Sequence, residues 1–163
     1  MNDQTPTPAA PVATVAFDFP TYLARQAEQE ERAAALRPAN KTTLFDALTA
    51  AGITHVTVTF DGEGDSGQIE SVDAFQGDTP VDLPTTKIAV LRADWNSPGN
   101  VTEEMSLHAA IEHMVYDFLS DTHGGWENND GAYGEFCFDA GARTIQLDFN
   151  ERFTSSALYD HQF

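Results

Sequence analysis

The clearest periodic signal lies in "ITHVTVTF", residues 53–60. Val56, Val58 and Phe60 fall on one side of an extended chain, and His55, Thr57 and Thr59 on the other. A period of two with one wet face predicts a strand in an antiparallel sheet covered on one side. After the glycine-rich "DGEGDSG", read as a loop, "QIESVDAF" predicts a second strand whose alternation breaks near Ser71–Val72, the sign of a bulge or an early end. "TKIAVLRA" predicts a strand at an edge. The last unit is a hairpin: "GEFCFD" turns Phe136 and Phe138 inward, and "TIQLDFNERF" turns Ile145, Leu147 and Phe149 inward. A two-residue turn at Ala140–Gly141 would set Phe136 opposite Ile145.

Three other segments carry helical spacing. "TYLARQAEQEERAAALRP" has Thr21 to cap it, Pro38 to end it, and a thin stripe of Leu23, Ala27, Ala34 and Leu36. "KTTLFDALTAAG" has Thr42 or Thr43 at its start, an apolar face of Leu44, Phe45 and Leu48, and Gly52 for a left-handed cap. A longer helix is expected from about Thr102 to Asp121, with Glu103 and Glu104 in its first turn and Leu107, Ile111, Met114, Val115 and Phe118 on one face. The pattern predicts an α+β fold: an antiparallel sheet of about four strands with helices on one face. A disordered tail is expected over 1–20, an N-terminal helix over 21–38 and a compact domain over 40–163. The open sheet face would carry His55, Thr57, Glu135, Cys137, Gln146 and Asp148.

Charge narrows the partners. The chain has 26 acidic against 8 basic residues and a net charge of −18. That field repels nucleic-acid phosphates and anionic membranes, so neither is expected as a direct partner. A basic protein surface, a protein that ordinarily holds DNA, or a cation suits it better; plain solubility would produce the same balance. Cys137 is the only cysteine, which excludes an intrachain disulfide and fits a reducing compartment. The N-terminus lacks a basic, then apolar, leader and no window reaches a membrane-spanning length, so a soluble cytoplasmic protein is expected.

Two acidic, glycine-hinged stretches stand out, "DGEGDSGQIES" (61–71) and "GGWENNDGAYGE" (124–135). The long motifs "GDSGQIES" and "GGWENNDGAYGEF" resemble those of a proteobacterial family known only as a domain of unknown function, over roughly residues 40–163. The resemblance implies a bacterial gene of the kind carried on mobile or accessory DNA. It brings no reaction, ligand or catalytic residue with it.

The residues themselves offer several chemistries. Asp61, Glu63 and Asp65 alternate like the start of a calcium loop, but Ser66 and Val72 stand where Gly and Glu would be needed. If the two stretches meet, Asp61, Asp65, Glu127, Asp130 and Glu135 would pool oxygens for Ca or Mg, with metal-assisted hydrolysis as a possible use. "GDSG" is protease-like only in part, since Gln68 follows Gly67 and no His–Asp pair is set by spacing. His108 and His113 are five apart, roughly 140° around a helix, and cannot share a zinc ion well. Paired carboxylates such as Glu127 with Glu135 or Asp148 would serve acid–base work only if held in a cleft. The preferred expectation is a non-enzymatic accessory or interaction protein with no cofactor. It would bind a partner protein, in the manner of an inhibitor or DNA mimic, through Asp61, Glu63, Asp65, Ser66, Glu70, Trp126, Glu127, Asn128, Asp130 and Glu135. The alternative is the cation-binding domain in the same loops.

Overall fold

The computed structural model describes residues 18–163. Most of the tail expected over 1–20 lies outside them. The elements in order are α1 (Phe19–Ala50), β1 (His55–Glu63), β2 (Ser66–Gln76), β3 (Thr79–Val81), β4 (Lys87–Ala93), β5 (Asn100–Ser106), α2 (Leu107–Thr122), β6 (Ala132–Asp139) and β7 (Thr144–Glu151). The α+β class holds, with more strands than the four expected. An antiparallel five-stranded sheet runs β3-β2-β1-β6-β7, and β4-β5 form a separate two-stranded ribbon.

The core sits between the inner sheet face and the helices. Val56, Val58 and Phe60 of β1 and Phe136 and Phe138 of β6 pack with Leu44, Phe45 and Leu48 of α1. From α2 come Leu107, Ile111, Met114, Val115 and Leu119, and from β4 Ile88 and Val90. Each fully buried Leu, Ile, Val or Phe contributes about 1.5–3 kcal/mol relative to exposure. On the opposite face, the pairing aligns Thr57 with Asp73 and Cys137, and Thr59 with Ser71 and Glu135. Gln146 and Asp148 extend these two rows on β7. This is the polar face the alternation predicts.

Four sequence-based boundaries change. The two helices expected over 21–38 and 41–52 are one helix, with Pro38 inside it; the domain boundary expected at residue 40 therefore falls within α1. An interior proline costs about 3 kcal/mol, and the surroundings offset it. Thr42 and Thr43 hydroxyls donate back to the Pro38 and Ala39 carbonyls (3.0 and 3.1 Å). Asn40 grips the free edge of β4, donating to Leu91 O and accepting from Leu91 N–H, both at 2.8 Å. Gln29 donates to Ala93 O (2.8 Å), and Arg32 to the carbonyls of Asp94, Ser97 and Gly99. Arg37 pairs with Asp117 and Asp121 of α2 (2.7 and 3.0 Å). The start is set at Asp18, whose carboxylate accepts from the Thr21 hydroxyl, so Thr21 lies in the first turn and is not the cap. Gly52 at φ +74 closes the helix as expected: its N–H reaches Thr49 O and that of Ile53 reaches Leu48 O, both at 3.0 Å.

Second, the helix expected from Thr102 begins at Leu107. Thr102, Glu103 and Glu104 lie in β5, facing Leu91, Val90 and Ala89. A 2.6 Å ion pair between Arg92 and Glu103 ties the ribbon. Ser106 caps α2 by accepting from the Ala109 N–H at 3.1 Å. Third, the last hairpin pairs Phe136 with Leu147 and Phe138 with Ile145, because its turn takes four residues, 140–143, with Arg143 at φ +56. The shift is even, so every side chain keeps its face. Fourth, "DGEGDSG" is mostly strand: β1 runs to Glu63, β2 starts at Ser66, and only Gly64 and Asp65 turn, at φ +58 and +65. Two successive positive φ values make the primed turn that suits strand twist.

Candidate functional site

The two acidic stretches meet at one corner of the sheet. The Gly64 N–H donates to Asn129 O (2.9 Å) and the Asp65 N–H to Glu127 O (3.0 Å). In return the Asn129 N–H donates to the Asp65 carboxylate at 3.4 Å. The β1–β2 turn and the α2–β6 connection are thus stitched through their backbones.

Close packing explains the glycines. Gly62 and Gly67 face each other across β1 and β2, and the Trp126 ring lies over both. A Cβ on Gly67 would stand 2.4 Å from the Trp126 ring, and one on Gly62 2.6 Å. Trp126 also meets Phe60 edge-on, with ring centroids 5.2 Å apart. Trp126, expected among partner contacts, faces the core. Gly131, at φ +74, passes so near Gly62 that a Cβ would lie 1.8 Å from Gly62 O. Alongside, β2 carries its bulge at Glu70: Thr59 pairs with Ser71 and Phe60 with Ile69, leaving Glu70 extra. The Ile69 N–H beside the bulge donates to the Tyr116 hydroxyl of α2 at 3.2 Å.

The carboxylates divide into two sets. Asp61 takes a bidentate pair from Arg152, Nη1 to Oδ1 and Nη2 to Oδ2, each at 2.9 Å. Arg152 also donates to Gly62 O (3.2 Å), its N–H donates to Gly131 O (2.9 Å), and its guanidinium lies 4.6 Å from the Tyr133 ring centroid. The Arg152 bonds hold the Asp61 carboxyl below the usual aspartate value, against a smaller opposing effect of burial. Asp130 accepts from the Thr154 N–H at 2.6 Å. So Asp61, Asp65 and Asp130 are internal braces. Glu63 and Glu70 are exposed, Glu127 is half-buried, and Ser66 and Asn128 are exposed. Among the described residues, Glu63 and Glu127 carry no side-chain bond within the protein, and Glu70 accepts only from neighbouring Gln68, at 2.9 Å.

Glu135 stands apart from this corner, on the open sheet face opposite Thr59 and Asp148. There it borders Cys137, whose thiol is pushed above its ordinary value by burial and then by Asp139, Glu135 and Asp148. The five residues named as possible Ca or Mg ligands therefore do not gather into one set. Among the described residues no group of three or more His, Cys, Asp or Glu side chains is placed to hold a metal ion. No described helix is long and apolar enough to cross a membrane.

Sequence reasoning missed Arg152. It lies 91 positions from Asp61, and the only hint was a lone base following an acidic strand. With this corner described, the comparison with known families is decisive, because residues 36–163 match the family of unknown function DUF6878. The chain belongs to DUF6878. No curated protein and no solved structure matches it. The DUF6878 segment begins inside α1, just before Pro38, and holds the whole sheet, α2 and the braced corner; the first half of α1 precedes it.

Proposed function

We propose that this DUF6878 protein is a non-enzymatic binding protein that presents the rim of its braced corner to a basic protein surface. The observation that carries the reading is the division of labour among the carboxylates. Asp61, Asp65 and Asp130 spend their oxygens on the protein's own backbone and on Arg152. Glu63, Glu70 and Glu127 keep charge available beside them on a backbone that is already fixed. A pre-organised anionic rim loses little entropy on binding, and the net charge of −18 steers a basic partner toward it. A protein that ordinarily holds DNA is the partner class whose surface fits best, and a bacterial cytoplasm is the setting that suits such a partner.

The test is retention of partners from a bacterial lysate on the immobilised full chain. Retention is expected at low ionic strength and its loss once salt screens the rim, at about 0.5 M. The triple change Glu63→Gln, Glu70→Gln, Glu127→Gln should remove most of it while leaving the melting temperature unchanged. Equal retention by this variant, or no retention at any salt, would refute the reading.

A further inference from the structure

Among the described residues the sheet system ends in four strands, and three of these edges are guarded. At one end β3 is three residues long and contains Pro80, which has no N–H to offer a neighbour, and the stretch of β2 that β3 leaves uncovered, Ser66–Asp73, is interrupted by the bulge at Glu70 and by the Ile69 N–H bond to the Tyr116 hydroxyl. The outer edge of β4 is occupied by the Asn40 and Gln29 side chains. On β5 the exposed Glu103 and Glu104 defend the edge with charge. The fourth edge, β7, is eight residues long and has no proline, lysine or bulge.

Its unpaired groups can be named. The Arg152 N–H bonds Gly131 O and the Ala140 N–H bonds Thr54 O, each at 2.9 Å, which fixes the alternation across β1, β6 and β7. The backbone N–H and C=O of Ile145, Leu147, Phe149 and Glu151 then point away from β6. Among the described residues they have no partner. The side chains of Ile145, Leu147 and Phe149 are only half-buried, at the margin of the core.

We infer that this edge pairs with the same edge of a second copy, joining two five-stranded sheets into one antiparallel sheet through a two-fold axis at Leu147. The edge is self-complementary in that register. Ile145 falls opposite Phe149 of the second copy on the core side. Gln146 falls opposite Asp148, and Glu151 opposite Arg143, whose guanidinium already reaches Asp46 of its own chain. A register centred on Asp148 would oppose two carboxylates, so Asp148 selects against it. The segment after β7 adds a second reason. Phe153, Leu158 and Tyr159 are 83%, 94% and 78% exposed. With Arg152 opposite Ala142 of the second copy, this segment runs past that copy's 140–143 turn and gains a neighbour. The net charge of −18 on each copy opposes association, so pairing strengthens as salt screens it.

Analytical sedimentation of the full chain from about 10 μM to 1 mM, at low salt and at about 0.5 M NaCl, reads the equilibrium. A monomer–dimer equilibrium shifting to dimer with salt is expected. Gln146→Lys, which places an ammonium opposite Asp148, should tighten it, and Gln146→Glu should loosen it, each on the order of tenfold. Amide exchange at Ile145, Leu147 and Phe149 should slow as concentration rises. A chain that stays monomeric throughout, Gln146→Lys included, overturns the inference. So does a dimer whose β7 amides exchange as fast as the monomer's, or one indifferent to residue 146.

Discussion

Gly67 shows how much of the corner is decided by a missing methyl group. Its ideal Cβ would sit 2.4 Å from the Trp126 ring, nearer than any real contact, and the indole is pinned in turn against Phe60. Gly67→Ala must move Trp126 or part β1 from β2. A loss of about 1–3 kcal/mol is expected on denaturant unfolding, with a shift in tryptophan emission. The Asp61–Arg152 pair makes a second prediction at this scale. Its folded carboxyl sits below the ordinary value of 3.8, so the pair's full contribution is present above that pH and is lost as pH falls through the lowered value. The stability difference between the native chain and Arg152→Gln should therefore be constant near neutrality and shrink below about pH 4 in equilibrium unfolding. The glycines and acids were visible in the sequence as loop chemistry. Which acids were spent internally was not, because Arg152 and the Thr154 N–H come from the far end of the chain.

Single elements carry the clearest lessons about what periodicity can and cannot fix. The alternation in β1 and β6 placed Val56, Val58, Phe60, Phe136 and Phe138 in the core, since a period of two admits one inward face. The helix break at Pro38 failed because local propensity was outweighed by tertiary bonds from Gln29, Arg32, Arg37 and Asn40, all to distant segments. Thr102–Glu104 read as a first helical turn because acids favour that place, but pairing with β4 took the segment into a strand. Two substitutions test the account of α1. Asn40→Ala strips Leu91 of both bonds at a part-buried edge and should cost about 1–3 kcal/mol. Pro38→Ala restores a helix bond and should raise the melting temperature. A neutral Asn40→Ala would mean that the edge of β4 is satisfied by water.

At the scale of the whole molecule, charge dominates. Twenty-six acids against eight bases make the folded chain repel itself, so added salt should stabilise it before any partner is considered. The partner expectations rest on the same imbalance, which leaves the activity illegible, because solubility and recognition ask for the same residues. Geometry separates internally bonded from unbonded carboxylates at the corner. Thermal unfolding of two triple variants tests that separation most directly: Asp61→Asn, Asp65→Asn, Asp130→Asn for the braces, and Glu63→Gln, Glu70→Gln, Glu127→Gln for the rim. The brace variant should melt lower by roughly 5 °C, while the rim variant melts with the native chain. Equal losses from both, or a loss confined to the rim variant, would contradict the account.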